Sequence, residues 1–142
     1  MKWFAAAFAS VVLPLSAAVA QDDALPSGFE AQAVLKSTKT ADGDPLQLPQ
    51  SGTAEIVSVI GTLEPGGRTA RHQHPVPVYV YVMEGELEVQ TEGGELRNYK
   101  AGEAFLESVN RWHQAFNRAD AQTKILVVFI GEEGKPTTVT SQ

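Results

Sequence analysis

Polar and apolar residues alternate along most of this chain with a period of two, the spacing of a half-buried β-strand rather than of an amphipathic helix. Ala54 to Leu63 sets Ile56, Ser58 and Ile60 against Val57, Val59 and Gly61. Val78 to Met83 interleaves three valines with Tyr79 and Tyr81, and Glu86 to Thr91 opposes Leu87 and Val89 to Glu86, Glu88 and Gln90, which marks one wet face. Further strands are predicted over Phe29 to Thr40, with Ala31, Ala33 and Leu35 on one face, and over Thr69 to His74, Glu95 to Tyr99, Ala104 to Glu107, Trp112 to Asn117 and Thr123 to Ile130. Turn chemistry separates them: ADGDP at 41–45, Glu64-Pro65-Gly66-Gly67, Glu84-Gly85 and the hairpin signal Gly93-Gly94. Pro49 cannot donate to a sheet ladder, so 46–52 reads as a loop or edge segment. About nine short strands at close spacing, with no amphipathic helix among them, predict an all-β barrel or sandwich. In the polar tail, TTVT is placed to add a short edge strand.

The first twenty residues carry a different pattern. MKWFAAAFASVVLPLSAAVA has a basic start at Lys2, an apolar run from Phe4 to Leu15 and a small-residue site at Ala18-Val19-Ala20, the form of a secretory signal peptide. Its removal would leave 122 residues of the 142, enough for a single domain, exported to the periplasm or secreted, with no membrane span. Residues 21–52 are expected to form a leader and an N-terminal strand, 53–131 the barrel and 132–142 the tail.

Composition then narrows the chemistry. Cysteine is absent, which excludes a disulfide framework and a thiolate metal site. Seventeen acidic residues face ten basic ones once Lys2 is set aside, which argues against nucleic acid as a partner. No basic run marks a membrane-binding surface.

All three histidines fall in two glycine-marked blocks. His72-Gln73-His74 places two imidazoles on one face of an extended strand, where both can reach one ion, and His113 lies in RWHQAFN, downstream of Gly102. An HxH pair alone on an exposed strand is ordinary. Here Gly66 stands six positions before His72, Gly85 eleven after His74, and Gly102, His113 and Asn117 punctuate the second block.

These residues resemble the cupin family. Its first motif is glycine, five residues, HxH, three or four residues, glutamate, six residues, glycine; its second is glycine, five residues, PxG, two residues, histidine, three residues, asparagine. Gly66, His72, His74 and Gly85 fit the first, and Gly102, His113 and Asn117 fit the second. Three positions depart: Val78 stands for the glutamate, Ser108 for the proline and Asn110 for the glycine. The run HPVPVYVYVMEGELEV is similar to that of small exported single-domain cupins with HPVP in place of the acidic segment.

The resemblance implies a double-stranded β-helix, that is a small jelly-roll barrel, holding a divalent transition metal (manganese, iron, nickel, copper or zinc) through His72, His74 and His113. With no carboxylate at Val78, the ion would keep its double charge and an open position. It further implies that Val78, Val80 and Val82 point inward with the histidines, that a homodimer forms through the outer sheet, and that the partner is a small molecule. Glu107 precedes the second histidine block and is a general base or distant fourth ligand, unless it faces the surface as a strand-end glutamate ordinarily does. Phe105, Trp112 and Phe116 read as core or interface aromatics. Arg71 and Gln73 face away from the histidines, and Arg111 either reaches the barrel mouth or is solvated. Three functions compete: a metal-dependent enzyme, oxygenase-like first and lyase or isomerase next; a non-catalytic module holding a metal or small ligand; or a structural cupin that binds no metal.

Overall fold

The structure, a computed structural model, describes residues 28–49 and 51–141. The expected signal peptide, residues 1–20, and most of the expected leader lie outside the described residues. From Gln32 onward the chain forms one unit, separate from that of the residues before it. Among the described residues of that unit are nine strands: β1 (Ala54–Leu63), β2 (His72–Gln73), β3 (Val78–Glu84), β4 (Glu86–Thr91), β5 (Leu96–Lys100), β6 (Ala104–Glu107), β7 (His113–Phe116), β8 (Thr123–Glu132) and β9 (Val139–Thr140). They pair antiparallel in two sheets, ordered β1-β8-β3-β6 and β5-β4-β7-β2-β9.

The inward faces follow the alternation in the sequence. Val78, Val80 and Val82 of β3 and Leu87 and Val89 of β4 are buried, and with Phe105, Ala115, Ile125 and Phe129 they fill the space between the sheets. The intervening Tyr79 and Tyr81 point the other way and stay half-buried. Between β3 and β4 the chain passes from one sheet to the other at Gly85, whose φ is 75°. A Cβ there would lie 2.7 Å from the Gln122 carbonyl oxygen, so both conformation and space require glycine.

One expected strand does not form. Within Phe29–Thr40 only Lys39 pairs, in an isolated bridge to Pro45 across the turn at 41–44. The alternating face of that segment is Ala31, Ala33 and Leu35, which buries too little to hold a strand, and Phe29 is left 73% exposed. The histidine strand is shorter than expected, because regular pairing covers only His72–Gln73. Upstream, Arg68 bridges Phe116 and the Thr69 amide donates to the Ala115 carbonyl, so 66–69 still tracks β7 irregularly. The tail does supply an edge strand, β9, paired with β2.

Two motif departures are absorbed by local geometry. Asn110 adopts φ 55°, the left-handed conformation that asparagine tolerates better than most side chains, so it makes the turn that glycine makes in the family pattern. Ser108, at the proline position, donates its hydroxyl to Asp42 Oδ2 at 2.7 Å and lies 3.0 Å from the Thr40 hydroxyl. Asp42 in turn pairs with Arg97, which ties the 40–44 turn to β5 and to the end of β6. Burial would raise the Asp42 pKa, but the Ser108 hydroxyl and the Arg97 guanidinium outweigh it and hold the carboxyl below its ordinary value.

Candidate metal centre

Two strands bring the imidazoles together. His72 on β2 pairs in register with His113 on β7, and His74 follows two residues after His72 on the same face. Their ring centroids are 4.3 Å apart for His72 and His113, 4.8 Å for His72 and His74, and 5.1 Å for His74 and His113. One ring nitrogen from each lies within 4.8 Å of the other two. His74 and His113 are buried, and His72 is half-buried at the open side.

Backbone carbonyls fix the tautomer of all three rings. His72 Nδ1 lies 2.7 Å from the Ala70 carbonyl oxygen, His74 Nδ1 2.8 Å from that of Thr137, and His113 Nδ1 3.0 Å from that of Arg111. A carbonyl only accepts, so each Nδ1 carries the proton, and each neutral ring keeps its Nε2 lone pair free. Such outer partners orient metal-ligating histidines in general. The Thr138 hydroxyl, 3.2 Å from His74 Nδ1, adds a second contact from the tail. The tail thus supplies a contact to the site as well as an edge strand, from the threonine cluster of TTVT.

Glu107 is not on the surface. At the end of β6 its side chain is 12% exposed, with Oε2 3.2 Å from His74 Nε2 and Oε1 3.3 Å from His113 Nε2. These contacts lack full hydrogen-bond geometry: Glu107 Oε2 and His113 Nε2 are buried without a hydrogen-bond partner among the described residues. Burial would raise the Glu107 pKa, yet His113 and then His74 outweigh it and hold it at about 2, so the group is a carboxylate at neutral pH. For His113, burial lowers the pKa, but the Glu107 carboxylate and the Arg111 carbonyl raise it further than burial lowers it. His72, which makes no such carboxylate contact, is lowered by burial and by the neighbouring imidazoles.

These residues fit a divalent transition metal. Three imidazole nitrogens, with the Glu107 carboxylate beside two of them, suit manganese, iron, nickel, copper or zinc, and Glu107 Oε2 and His113 Nε2, buried without hydrogen-bond partners, are atoms that such an ion would satisfy. Of the two expectations for Glu107, the surface position is excluded, and the carboxylate stands beside the histidines, where a base or a fourth ligand would have to be. Val78 is fully buried beside the histidines as expected, and Glu107, its partner across β3 and β6, supplies the acidic group from the neighbouring strand.

The remaining residues singled out in the sequence sit elsewhere. Phe105 stacks on Tyr99 with centroids 3.8 Å apart, and Phe116 is buried beneath the Arg118 guanidinium. Trp112 carries the Arg71 guanidinium over its ring, and Arg71 also pairs with Glu92. Arg111 pairs with Asp44 at 3.0 Å and not with the histidine cluster. Asn117 is structural: its fully buried amide donates to the Leu63 and Ala121 carbonyls and accepts from the Ala119 amide.

Beside the histidines lies a cavity of about 150 Å³. Its walls are Val80, Leu87, Ala115, Ile125, Val127 and Phe129, and its polar groups are His72, His74, Glu107, Thr69 and Thr138. A larger groove of about 460 Å³ lies apart, lined by the 44–49 segment, Pro75, Val76, Pro77 and Pro136, and contains none of the histidines.

Comparison with known proteins agrees with this geometry. The Cupin domain family matches residues 59–129, half of the chain. No significantly similar sequence is found among curated proteins. Among solved structures, a sugar phosphate isomerase of the cupin superfamily from Silicibacter pomeroyi is 28% identical with a TM-score of 0.51, over 61% of this chain and 57% of that one. The Bacillus subtilis oxalate decarboxylase, described with Mn(II) centres, is 26% identical with a TM-score of 0.53, over 63% of this chain and 24% of that one. An uncharacterised Klebsiella pneumoniae protein with a double-stranded β-helix domain is 21% identical with a TM-score of 0.54, over 78% of this chain and 99% of that one. The matched part is thus well under two thirds of the isomerase and about a quarter of the decarboxylase.

Proposed function

The chain belongs to the cupin family, and on that premise we propose that it is an exported, metal-dependent enzyme acting on a small molecule inside the barrel. The observation that carries the reading is the Glu107 carboxylate set between His74 Nε2 and His113 Nε2, which completes a set of three nitrogens and one oxygen. A divalent transition metal bound there would supply Lewis acidity or oxygen activation. The chain's own part is to hold the rings in one tautomer through Ala70, Thr137 and Arg111, and to keep bulk water from the apolar side of the cavity.

Oxygen-dependent oxidation is the leading reaction class. A lyase or isomerase needs a side chain free to take and return a proton, and the acidic group available, Glu107, is set between two of the imidazoles at 3.2 and 3.3 Å. It serves better as an anionic ligand. The apolar walls suit oxygen and an aliphatic substrate. A non-catalytic metal or ligand carrier is the alternative, separated by turnover: oxygen uptake with product formed in excess of protein, abolished by His113→Ala, supports the enzyme, and stoichiometric uptake without product supports the carrier.

Export and pairing belong to the same proposal. The pattern of residues 1–20 directs the chain to the periplasm or outside the cell, tested by the mass of the protein recovered from the periplasmic fraction. Pairing is supported by β1, an edge strand that pairs only with β8 among the described residues, with Ile56 65% and Ile60 52% exposed. Residues 56–60 read Ile-Val-Ser-Val-Ile in both directions. Antiparallel pairing of two copies about a twofold axis at Ser58 therefore sets Ile56 against Ile60, Val57 against Val59 and Glu55 against Gly61, with no like charges opposed.

A further inference from the structure

The cavity beside the histidines has a charge and a shape of its own. Of its eleven lining residues none is lysine or arginine, and the one charged group is Glu107. Three neutral imidazoles and one carboxylate leave a bound divalent ion with a net single positive charge. A singly charged anionic head would cancel it. A dianion would leave an uncompensated negative charge, and Val80, Leu87, Ile125, Val127 and Phe129 offer it no hydrogen-bond donor.

Size narrows the class further. About 150 Å³ corresponds to roughly five water volumes at about 30 Å³ each, room for a molecule of about six non-hydrogen atoms. Its polar lining is His72, His74, Glu107, Thr69 and Thr138, and the rest is aliphatic and aromatic. We infer that the site takes a small, singly anionic organic molecule with its charged head directed at the histidines and a short aliphatic body against Val80, Ile125, Val127 and Phe129. Phosphorylated sugars and small dicarboxylates, the ligand classes named for the isomerase and decarboxylase relatives, lack a counter-charge here.

This inference rests on the metal-centre reading above, and one experiment separates the two. The full chain is loaded with Mn(II), its metal content is measured, and the same sample is titrated calorimetrically with isobutyrate, malonate and glycerol 3-phosphate. The expected result is about one equivalent of manganese and isobutyrate binding at least tenfold tighter than either dianion. Val127→Arg, which adds a cation to the wall, is expected to shift the preference at least tenfold towards malonate; the wild-type order is a test whether or not that variant folds. Loaded protein that binds a dianion as tightly as isobutyrate, or shows no saturable binding of isobutyrate, overturns the substrate class and leaves the metal centre standing. Protein that retains no manganese overturns both.

Discussion

Val78 and Glu107 face each other across the antiparallel pair of β3 and β6, so the position where the family pattern carries its glutamate and the glutamate this chain does carry are direct neighbours on one face of the sheet. Directly paired residues have Cβ atoms about 5 Å apart, within the reach of a glutamate side chain. On the proposed metal-centre reading, the acidic group is displaced by one strand and not lost. Two changes distinguish this from coincidence. Glu107→Gln is expected to weaken metal binding 10- to 100-fold, the usual cost of disturbing a ligand or its partner, and the double variant Val78→Glu/Glu107→Val is expected to recover most of that loss. Competition titration against a fluorescent chelator measures both. A double variant as weak as Glu107→Gln would show that the strand position itself matters.

Protons and metal compete for the same groups, with a definite sign. The Glu107 pKa is depressed to about 2, so its contribution to stability is complete above about pH 4.5 and is lost as the pH falls towards 2. The His113 pKa is raised, so its contribution is complete below about 6.5 and is lost as the pH rises past the elevated value. In metal-free protein this pair stabilises most between those limits. Metal needs His113 neutral, so the rise in Tm on adding Mn(II) is expected to grow steadily from pH 5 to pH 8. Thermal melts with and without the ion test this, and a metal-induced rise that does not change with pH would count against the assignment.

Asn117 fits the family motif but holds the fold. Replacing it by alanine removes three hydrogen bonds and leaves the Leu63 and Ala121 carbonyls without this donor in a fully buried site. The expected cost is about 3 kcal/mol, a Tm lower by roughly 10 °C for a chain of this size, with metal stoichiometry unchanged in the folded fraction. Metal lost at temperatures where Asn117→Ala remains folded would assign it a role at the site.

Edge pairing is testable at one residue. Ser58→Lys places two like charges on the proposed twofold axis, and lysine on an edge strand blocks such pairing. Light scattering is expected to give a dimer for the wild type and a monomer for the variant, both folded. A monomeric wild type, or a variant that remains dimeric, would remove β1 as the interface.

Much of this was legible in the chain itself, for reasons that differ by element. β1 and β4 match their predicted limits because their alternation is long and bounded by glycine or proline turns. The convergence of His72, His74 and His113 was legible because residues two apart share a strand face, and the second histidine block has its own glycine marker. Glu107 was picked out, but its direction was not, since one residue of register turns a strand side chain from outside to inside. The segment 29–40 misled because its small side chains alternate correctly and bury almost nothing. The Thr137 carbonyl could not be read at all, because a backbone group has no sequence signature and reaches His74 only through the pairing of β9 with β2.

The most direct test is elemental analysis of the protein purified without chelator or affinity metal, beside His72→Ala/His74→Ala. About one equivalent of a transition metal in the wild type and almost none in the variant is the expected result. No metal in the wild type, even after reconstitution with manganese, iron, nickel, copper or zinc, would leave the barrel intact and contradict the assignment of His72, His74, His113 and Glu107 as a metal centre.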